Sequence, residues 1–303
     1  MKPRNYKSAI LAQKVYFCLQ MMNDPIHLTD KHFNPENTGN CHLLIHLAEQ
    51  SYSYAIIDKE EDRPGILVKK RFSEHARSLS AGERLEILLA ENAYLKHRFR
   101  KVKVSIETKS FTFIPEELYS GDDLAQYSKF IGSPPEARVL SSAISFYGIV
   151  NVCGIDADLA DQLQTQFHEP LVLSQVNPFM AGISKLISNG RPAGLFLNFN
   201  AGNFEAAVIK DGTLEFYNIF EIASADEFNY FLLNLISQFD TDRSMPVTLS
   251  GEVQEEDEYF KRLIKYFDNI SFTDSGMTGG GSELFDRIPP HVFFSLLSLD
   301  LCE

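Results

Sequence analysis

The sequence predicts an α/β protein built from two similar halves, and three observations lead to this prediction. The chain has 303 residues, 44% of them hydrophobic, so it can bury one large core or two modest cores. Its 24 Phe and 12 Tyr carry too much apolar area for a mainly disordered chain. In each half the predicted elements run strand, strand, strand, helix, strand, helix, which is typical of a sheet covered by helices. No residue period matches between the halves, so the repetition lies in the order of elements alone.

Five short runs in the first half have the alternating polarity or the β-branched and aromatic content of strands. They are residues 42–48, 52–58, 66–72, 102–106 and 111–115. Ser80 and Glu83 form a capping box, in which both side chains accept hydrogen bonds from free amides, and we expect a helix from there to about Arg98. His42 and His46 share one face of the first strand about 13 Å apart, too far to bind one metal, and we expect both to face solvent.

The middle of the chain is β-rich over residues 143–155 and broken at Gly148, which indicates a hairpin. Asp156 or Asp158 is positioned to cap a helix that follows. We expect that helix to reach Phe167, and we expect a strand and a second helix over residues 171–175 and 178–188.

The second half repeats the opening of the first. Three strands are expected over residues 195–199, 204–210 and 213–220, the last two joined by the Asp211-Gly212 hairpin signal. A capping box at Ser224–Glu227 begins a helix, and a strand over 247–251 and a helix over 255–268 follow. The acidic run from Glu252 to Glu258 is interpreted as a solvated helix start, where the helix dipole favours negative charge.

The turn at Asn189–Pro192 is the best candidate boundary in the chain. We therefore expect an N-terminal extension over residues 1–25, a first lobe over 26–190 and a second lobe over 191–303. Residues 1–20 are either a short helix docked on the first lobe or an extension outside the core. We favour the extension, and expect their deletion to change stability by less than about 1 kcal/mol.

Net charge, hydropathy and cysteine content limit the classes of partner and the compartment that we expect for the protein. Lys plus Arg total 28 against 41 Asp plus Glu, so a net charge of −13 gives no broad field for nucleic acid or an anionic membrane. No apolar run approaches the roughly 18 residues that span a bilayer. Four scattered cysteines fit a reducing compartment, and we expect a cytoplasmic protein. They are Cys18, Cys41, Cys153 and Cys302.

Several segments together resemble an uncharacterised bacterial family of domain-of-unknown-function proteins with the actin-like ATPase fold, a duplication of ribonuclease H-like lobes. The segments are Leu28–Phe33, Leu43–Leu47, Tyr54–Asp58 and Phe111–Tyr119. The likeness runs from about Ile26 to the C-terminus. It implies two lobes, each opening with a three-stranded meander, around a cleft in which active members of the superfamily bind ATP and magnesium.

The resemblance also implies where that cleft lies. Its two phosphate loops would be residues 46–51 and 198–203, and the adenosine turn would be 247–252. His46 and Asn198 stand where the superfamily has metal-side Asp residues, and Glu252 would face a nucleotide poorly. The candidate cleft residues are Ser51, Asn198, Asn200, Gly202, Asn203 and Gly251.

We therefore interpret the chain as a non-catalytic interaction module with a degenerate nucleotide cleft, which binds a protein or peptide and needs no metal or cofactor. The alternative is a nucleotide-dependent ATPase or kinase-like enzyme that binds ATP and magnesium through unexpected ligands such as Glu49, Asp58 or Glu205. The Gly-rich run 276–282 lacks the Gly-Lys-Ser/Thr ending of a phosphate loop and is predicted to be a flexible loop.

Overall fold

The computed structural model describes residues 25–134, 136–274 and 283–303. Within these ranges the strands are β1 Ile26–Thr29, β2 Cys41–Leu47, β3 Ser51–Asp58, β4 Arg63–Arg71, β5 Lys101–Ile106, β6 Phe111–Pro115, β7 Arg138–Ile144, β8 Ile149–Ile155, β9 Leu171–Ser174, β10 Leu195–Asn200, β11 Asn203–Lys210, β12 Thr213–Glu221, β13 Val247–Gly251 and β14 Ile270–Phe272. The α-helices are α1 Glu74–Arg77, α2 Ala81–Glu91, α3 Leu124–Tyr127, α4 Ala157–Gln166, α5 Val176–Ser188, α6 Ala225–Gln238, α7 Glu258–Leu263 and α8 Phe294–Ser298.

Two large sheets share one five-stranded topology, to which β1 adds a sixth strand in the first sheet. The first has the order β1-β4-β3-β2-β5-β9 and the second β12-β11-β10-β13-β14. In each, an antiparallel three-stranded meander is extended by two parallel strands on the side of its first strand. The duplicated α/β architecture predicted from the order of elements is therefore confirmed.

The small sheet β6-β8-β7 is inserted between β5 and α4. Its β7–β8 hairpin turns at Gly148, which has a φ of +62° that suits glycine, as the break in the sequence predicted. The hairpin begins at Arg138, earlier than expected. The insertion packs through Ile144 onto the same apolar cluster as Phe179 of α5 and Phe196 of the second sheet.

Each large sheet is covered on both faces. Leu43 and Ile45 pack with Leu85 of α2 and Leu159 of α4, while Leu44 on the opposite face packs with the C-terminal segment 284–302. In the second sheet, α6 and α7 cover one face and α5 the other. None of the helices in the described ranges is long and apolar enough to cross a bilayer.

The prediction that His42 and His46 face solvent is wrong, because the second face of the first sheet is covered. His42 and His46 do not face solvent as a pair, because the C-terminal segment lies over their side of β2. His42 is buried and its Nδ1 lies 2.6 Å from Asp300 Oδ1, while His46 Nδ1 lies 2.7 Å from Ser105 Oγ. Burial lowers the pKa of His46 to about 4, so this imidazole is neutral.

Two helices are shorter than the sequence predicted. The first ends at Glu91 instead of about Arg98, because Asn92 leaves helical geometry and its amide donates to the Leu88 carbonyl at 2.7 Å. The last predicted helix spans Glu258–Leu263 instead of residues 255–268, and it begins at Glu258 because Asp257 caps it by accepting from the Phe260 amide. Strands β1 and β14 and helices α1 and α8 were not predicted.

Candidate functional site

The turns that follow β2 and β10 meet between the two large sheets. Gly202 in the second turn has a φ of +83°, and a Cβ placed there would lie 2.2 Å from the Gln50 amide nitrogen of the first turn. Gly202 therefore provides both the left-handed backbone of the turn and the close approach to the opposite sheet. Ser51 beside Gln50 is buried and pairs with Arg71 across β3 and β4.

The buried carboxylate of Glu205 accepts hydrogen bonds from side chains at the end of β10, beside the second turn. Glu205 of β11 is 1% exposed, and it accepts hydrogen bonds from the Asn198 amide at 2.6 Å, the Tyr217 hydroxyl at 2.6 Å and the Asn200 amide at 3.4 Å. Burial raises the pKa of Glu205 to about 7 although these donors lower it. Asn200 also donates to Asn203 at 3.3 Å. Asn198 and Asn200 thus act as hydrogen-bond donors to the buried carboxylate of Glu205.

The same network continues into the first sheet. Asn203 hydrogen-bonds Glu107, which follows β5, and Glu107 has a raised pKa because of burial. Gln175, which follows β9, hydrogen-bonds Tyr217 and also holds the main chain of Thr108 through contacts of 2.9 and 3.0 Å. Polar groups from both sheets therefore form one connected set at the floor of the cleft.

The third loop of the cleft follows β13 and packs tightly on β10. Gly251 has a φ of +80°, and a Cβ there would lie 2.0 Å from the Phe199 carbonyl oxygen. The Ser250 hydroxyl donates to Asn198 Oδ1 at 2.9 Å, and the Glu252 amide donates to the Phe199 carbonyl at 2.7 Å. Gly251 is thus required by the backbone of this turn, whether or not a ligand approaches it.

Glu252 crosses from this loop to the first sheet. Its two carboxylate oxygens lie 3.0 Å from Lys69 Nζ and 2.5 Å from Arg71 Nη2, and its side chain is only 9% exposed. Burial would raise the pKa of Glu252, but Lys69 and Arg71 outweigh it and hold that pKa below its ordinary value. The expectation that the whole acidic run is a solvated helix start is therefore wrong for Glu252. Lys109 and Glu221 form a second, exposed ion pair between the halves.

The structure brings most of the predicted cleft residues together. Asn198, Asn200, Gly202, Asn203 and Gly251 belong to the two adjoining loops of the second sheet, and Ser51 lies beside the Gln50 that contacts Gly202.

Sequence reasoning missed the partners that occupy this region. They are Gln50, Lys69, Arg71, Glu107, Gln175 and Tyr217. The basic run Lys69-Lys70-Arg71 at the end of β4 was the one available signal in the sequence.

The ligands suggested for a magnesium site do not converge. Glu49 lies in the first turn, whereas Asp58 ends β3 at its far end, about 23 Å from Ser51 by the rise of a strand. Asp58 accepts from the amides of the turn after it, and the oxygens of Glu205 already accept three hydrogen bonds. In the part of the chain that the structure describes, no group of three His, Cys, Asp or Glu is placed to bind a metal ion.

These two meander-led lobes and the loops between them define the actin-like ATPase fold. A Bacteroides thetaiotaomicron VPI-5482 protein with actin-like ATPase fold and unknown function has a TM-score of 0.74 and 19% identity, covering 89% of this chain and 99% of its own. The PilM-PilN type IV pilus biogenesis complex contains a chain with a TM-score of 0.56 and 14% identity, covering 86% of this chain and 98% of its own. No curated protein matches this chain.

Within that fold the chain belongs to the family described as protein of unknown function DUF3822, which matches residues 30–270. The resemblance identified in the sequence is thereby confirmed, as is the fold that it implied.

Proposed function

We propose that this protein is a non-catalytic cytoplasmic interaction module, whose actin-like nucleotide cleft is degenerate and closed by its own side chains. The observation that carries the proposal is the buried Glu252, which joins the loop after β13 to Lys69 and Arg71 of the first lobe. A nucleotide entering here would have to break two ion pairs and leave a buried carboxylate facing its phosphates.

The polar floor of the cleft supports the same proposal. Asn198 supplies a neutral amide where the superfamily has a metal-side carboxylate, and both Asn198 and Asn200 donate to Glu205. Glu107 and Glu205 place acidic groups below the site, and Glu107 adds to the burial that raises the pKa of Glu205. A triphosphate gains little from such a floor without a magnesium ion to bridge the charges.

A partner-binding role and a cytoplasmic location are the remaining parts of the proposal. A neighbour with this fold was solved in a complex, PilM with PilN, which supports a protein or peptide partner here. The net charge of −13 argues against nucleic acid as that partner. Cys41, Cys153 and Cys302 are free, and burial raises the pKa of each thiol, so they behave as core residues suited to a reducing compartment.

A thermal-shift titration with ATP and magnesium tests the closed cleft. Ligand at a hundredfold excess over its Kd would add about 2.7 kcal/mol to the stability, so binding is easily detected. We expect no magnesium-dependent shift for the natural protein. Glu252→Gln removes the charge that closes the cleft, and the exposed Glu258→Gln is its matched control. A magnesium-dependent shift of the natural protein would contradict the proposal and support an ATPase or kinase-like enzyme.

A further inference from the structure

A cavity of about 570 Å³ is lined by residues of the first lobe and borders the cleft between the lobes at Glu49 and Glu107. Five segments line it: the end of β2 and the end of β5, each with the residues after it, the stretch from Arg77 to Arg84, the residues before β7, and the link from β8 into α4. No residue of the second large sheet lines it. Its volume lies within the range of about 300–1,000 Å³ that small-molecule sites occupy.

Two arginines of this cavity have no carboxylate partner among the described residues. Arg77 Nε donates to the Phe72 carbonyl at 3.2 Å, and Arg84 Nη1 donates to the Leu79 carbonyl at 2.8 Å. The buried Nε of Arg84 has no acceptor within the described ranges. In a chain with a net charge of −13, two guanidinium groups bonded only to main-chain carbonyls keep most of their donor capacity for a ligand.

The acidic residues of the cavity are otherwise engaged or lie at its exposed rim. Asp156 caps α4 by accepting from the Leu159 amide at 2.7 Å, and Glu107 hydrogen-bonds Asn203. Glu49 and Glu136 are exposed. The one lysine of the cavity, Lys109, pairs with Glu221 of the second lobe. The arginines are therefore the cavity's available charged donors.

The remaining walls fit a ligand with an apolar stem. Ala81 of α2 and Ala157 of α4 are the first residues of their helices, so the N-terminal ends of two helices border the same space. Ala48, Leu79 and Ile106 add apolar surface beside them. A guanidinium fork pairs with a carboxylate through two parallel hydrogen bonds.

We propose that this cavity binds a carboxylate group carried on a short apolar stem, with Arg77 and Arg84 as its recognition residues. The carboxylate comes either from an acidic side chain of a partner peptide or from a small free acid. The inference goes beyond the proposed function, because it names a ligand chemistry and does not depend on whether the cleft between the lobes binds nucleotide.

Calorimetric titrations with two probes test the site and distinguish the sources. The peptide Ac-Ala-Glu-Ala-Ala-Glu-Ala-NH2 represents a partner, its Glu-to-Gln version is the matched control, and glutarate represents a small acid. Binding of the Glu peptide at least tenfold tighter than the Gln peptide supports the peptide source, and binding of glutarate alone supports the small acid. Failure of both probes at millimolar concentration overturns the proposal, whatever ATP and magnesium do.

Variants assign the binding to the arginines. Arg77→Gln and Arg84→Gln should each weaken binding at least tenfold, as expected for one charge-assisted pair. Arg100→Gln, an exposed arginine outside the cavity, should bind as the natural protein does. Arg77 is itself exposed, so its variant should keep the natural melting temperature even if Arg84→Gln does not fold. Equal binding by the Arg77 and Arg100 variants would overturn the assignment.

Discussion

Replacing the buried acid of the cleft floor, Glu205→Gln, should make the protein's stability respond differently to pH. The pKa of Glu205 is raised from its ordinary value of 4.5 to about 7, chiefly by burial, in a side chain that is 1% exposed. Below pH 4.5 the carboxyl is protonated in both the folded and the unfolded chain. Between pH 4.5 and 7 the unfolded chain releases the proton first, so the natural protein loses stability as the pH rises.

The size of that loss follows from the shift in pKa. A raised pKa of this extent corresponds to about 3 kcal/mol, which is fully expressed above pH 7 and absent below pH 4.5. Burial lowers the pKa of His46 and of His291 to about 4. These two histidines therefore make the stability rise with pH over much of the same window, which is opposite to the effect of Glu205. These histidines are present in both proteins, so they cancel in the difference between variant and natural protein.

Urea unfolding at pH 4.5 and pH 8 measures this difference directly. The free energy of unfolding of Glu205→Gln, relative to the natural protein, should rise by about 3 kcal/mol between the two pH values. Glu215→Gln is the matched control, because Glu215 lies exposed on β12. A difference for Glu205→Gln that does not change with pH would refute the assignment of a proton to this buried carboxyl.

Three further predictions follow from other contacts. Lys103 is 5% exposed and donates to the Asp300 and Cys302 carbonyls at 2.6 Å. Lys103→Met should therefore lower the free energy of unfolding by about 3–5 kcal/mol in urea, with the exposed Lys101→Met as control. A loss below about 1 kcal/mol would show that these hydrogen bonds do not hold the C-terminal segment. Gly251→Ala should cost at least about 1 kcal/mol more than Gly212→Ala in the same assay, because both have a φ of +80° but only Gly251 meets a carbonyl oxygen; equal costs would show that the turn can relax. Limited proteolysis should cut near Gly190–Gly194 before β2, β3, β10 or β11, and early cleavage within those strands would contradict a boundary there.

The strands and their order could be predicted because they depend on local patterns. Alternating residues such as Leu43 and Ile45 identify a strand face, and the N-cap serines Ser80 and Ser224 identify helix starts. Helix ends were less predictable. Asn92 ends α2 through a bond to Leu88, whereas Leu95 beyond it keeps the apolar spacing of a helix.

Contacts between distant parts of the chain could not be predicted from one sequence. The burial of His42 depends on Asp300, which is 258 residues away, and the ion pair of Arg71 with Glu252 spans 181 residues. The cleft loops were located through the family resemblance, but their partners were not, since Gln50 and Tyr217 have no local signature of a site. The boundaries of the two lobes stay a prediction. The alternatives for residues 1–20 and the loop over 276–282 lie outside the described residues.

Calorimetric titration of the natural protein with ATP in the presence of magnesium tests the closed cleft most directly. The ion pairs of the largely buried Glu252 with Lys69 and Arg71 predict no saturable heat up to millimolar ATP, with or without magnesium. Saturable binding that requires magnesium, and that Gly202→Asp or Asn198→Ala abolishes, would contradict the account and show that the cleft between the lobes still holds nucleotide.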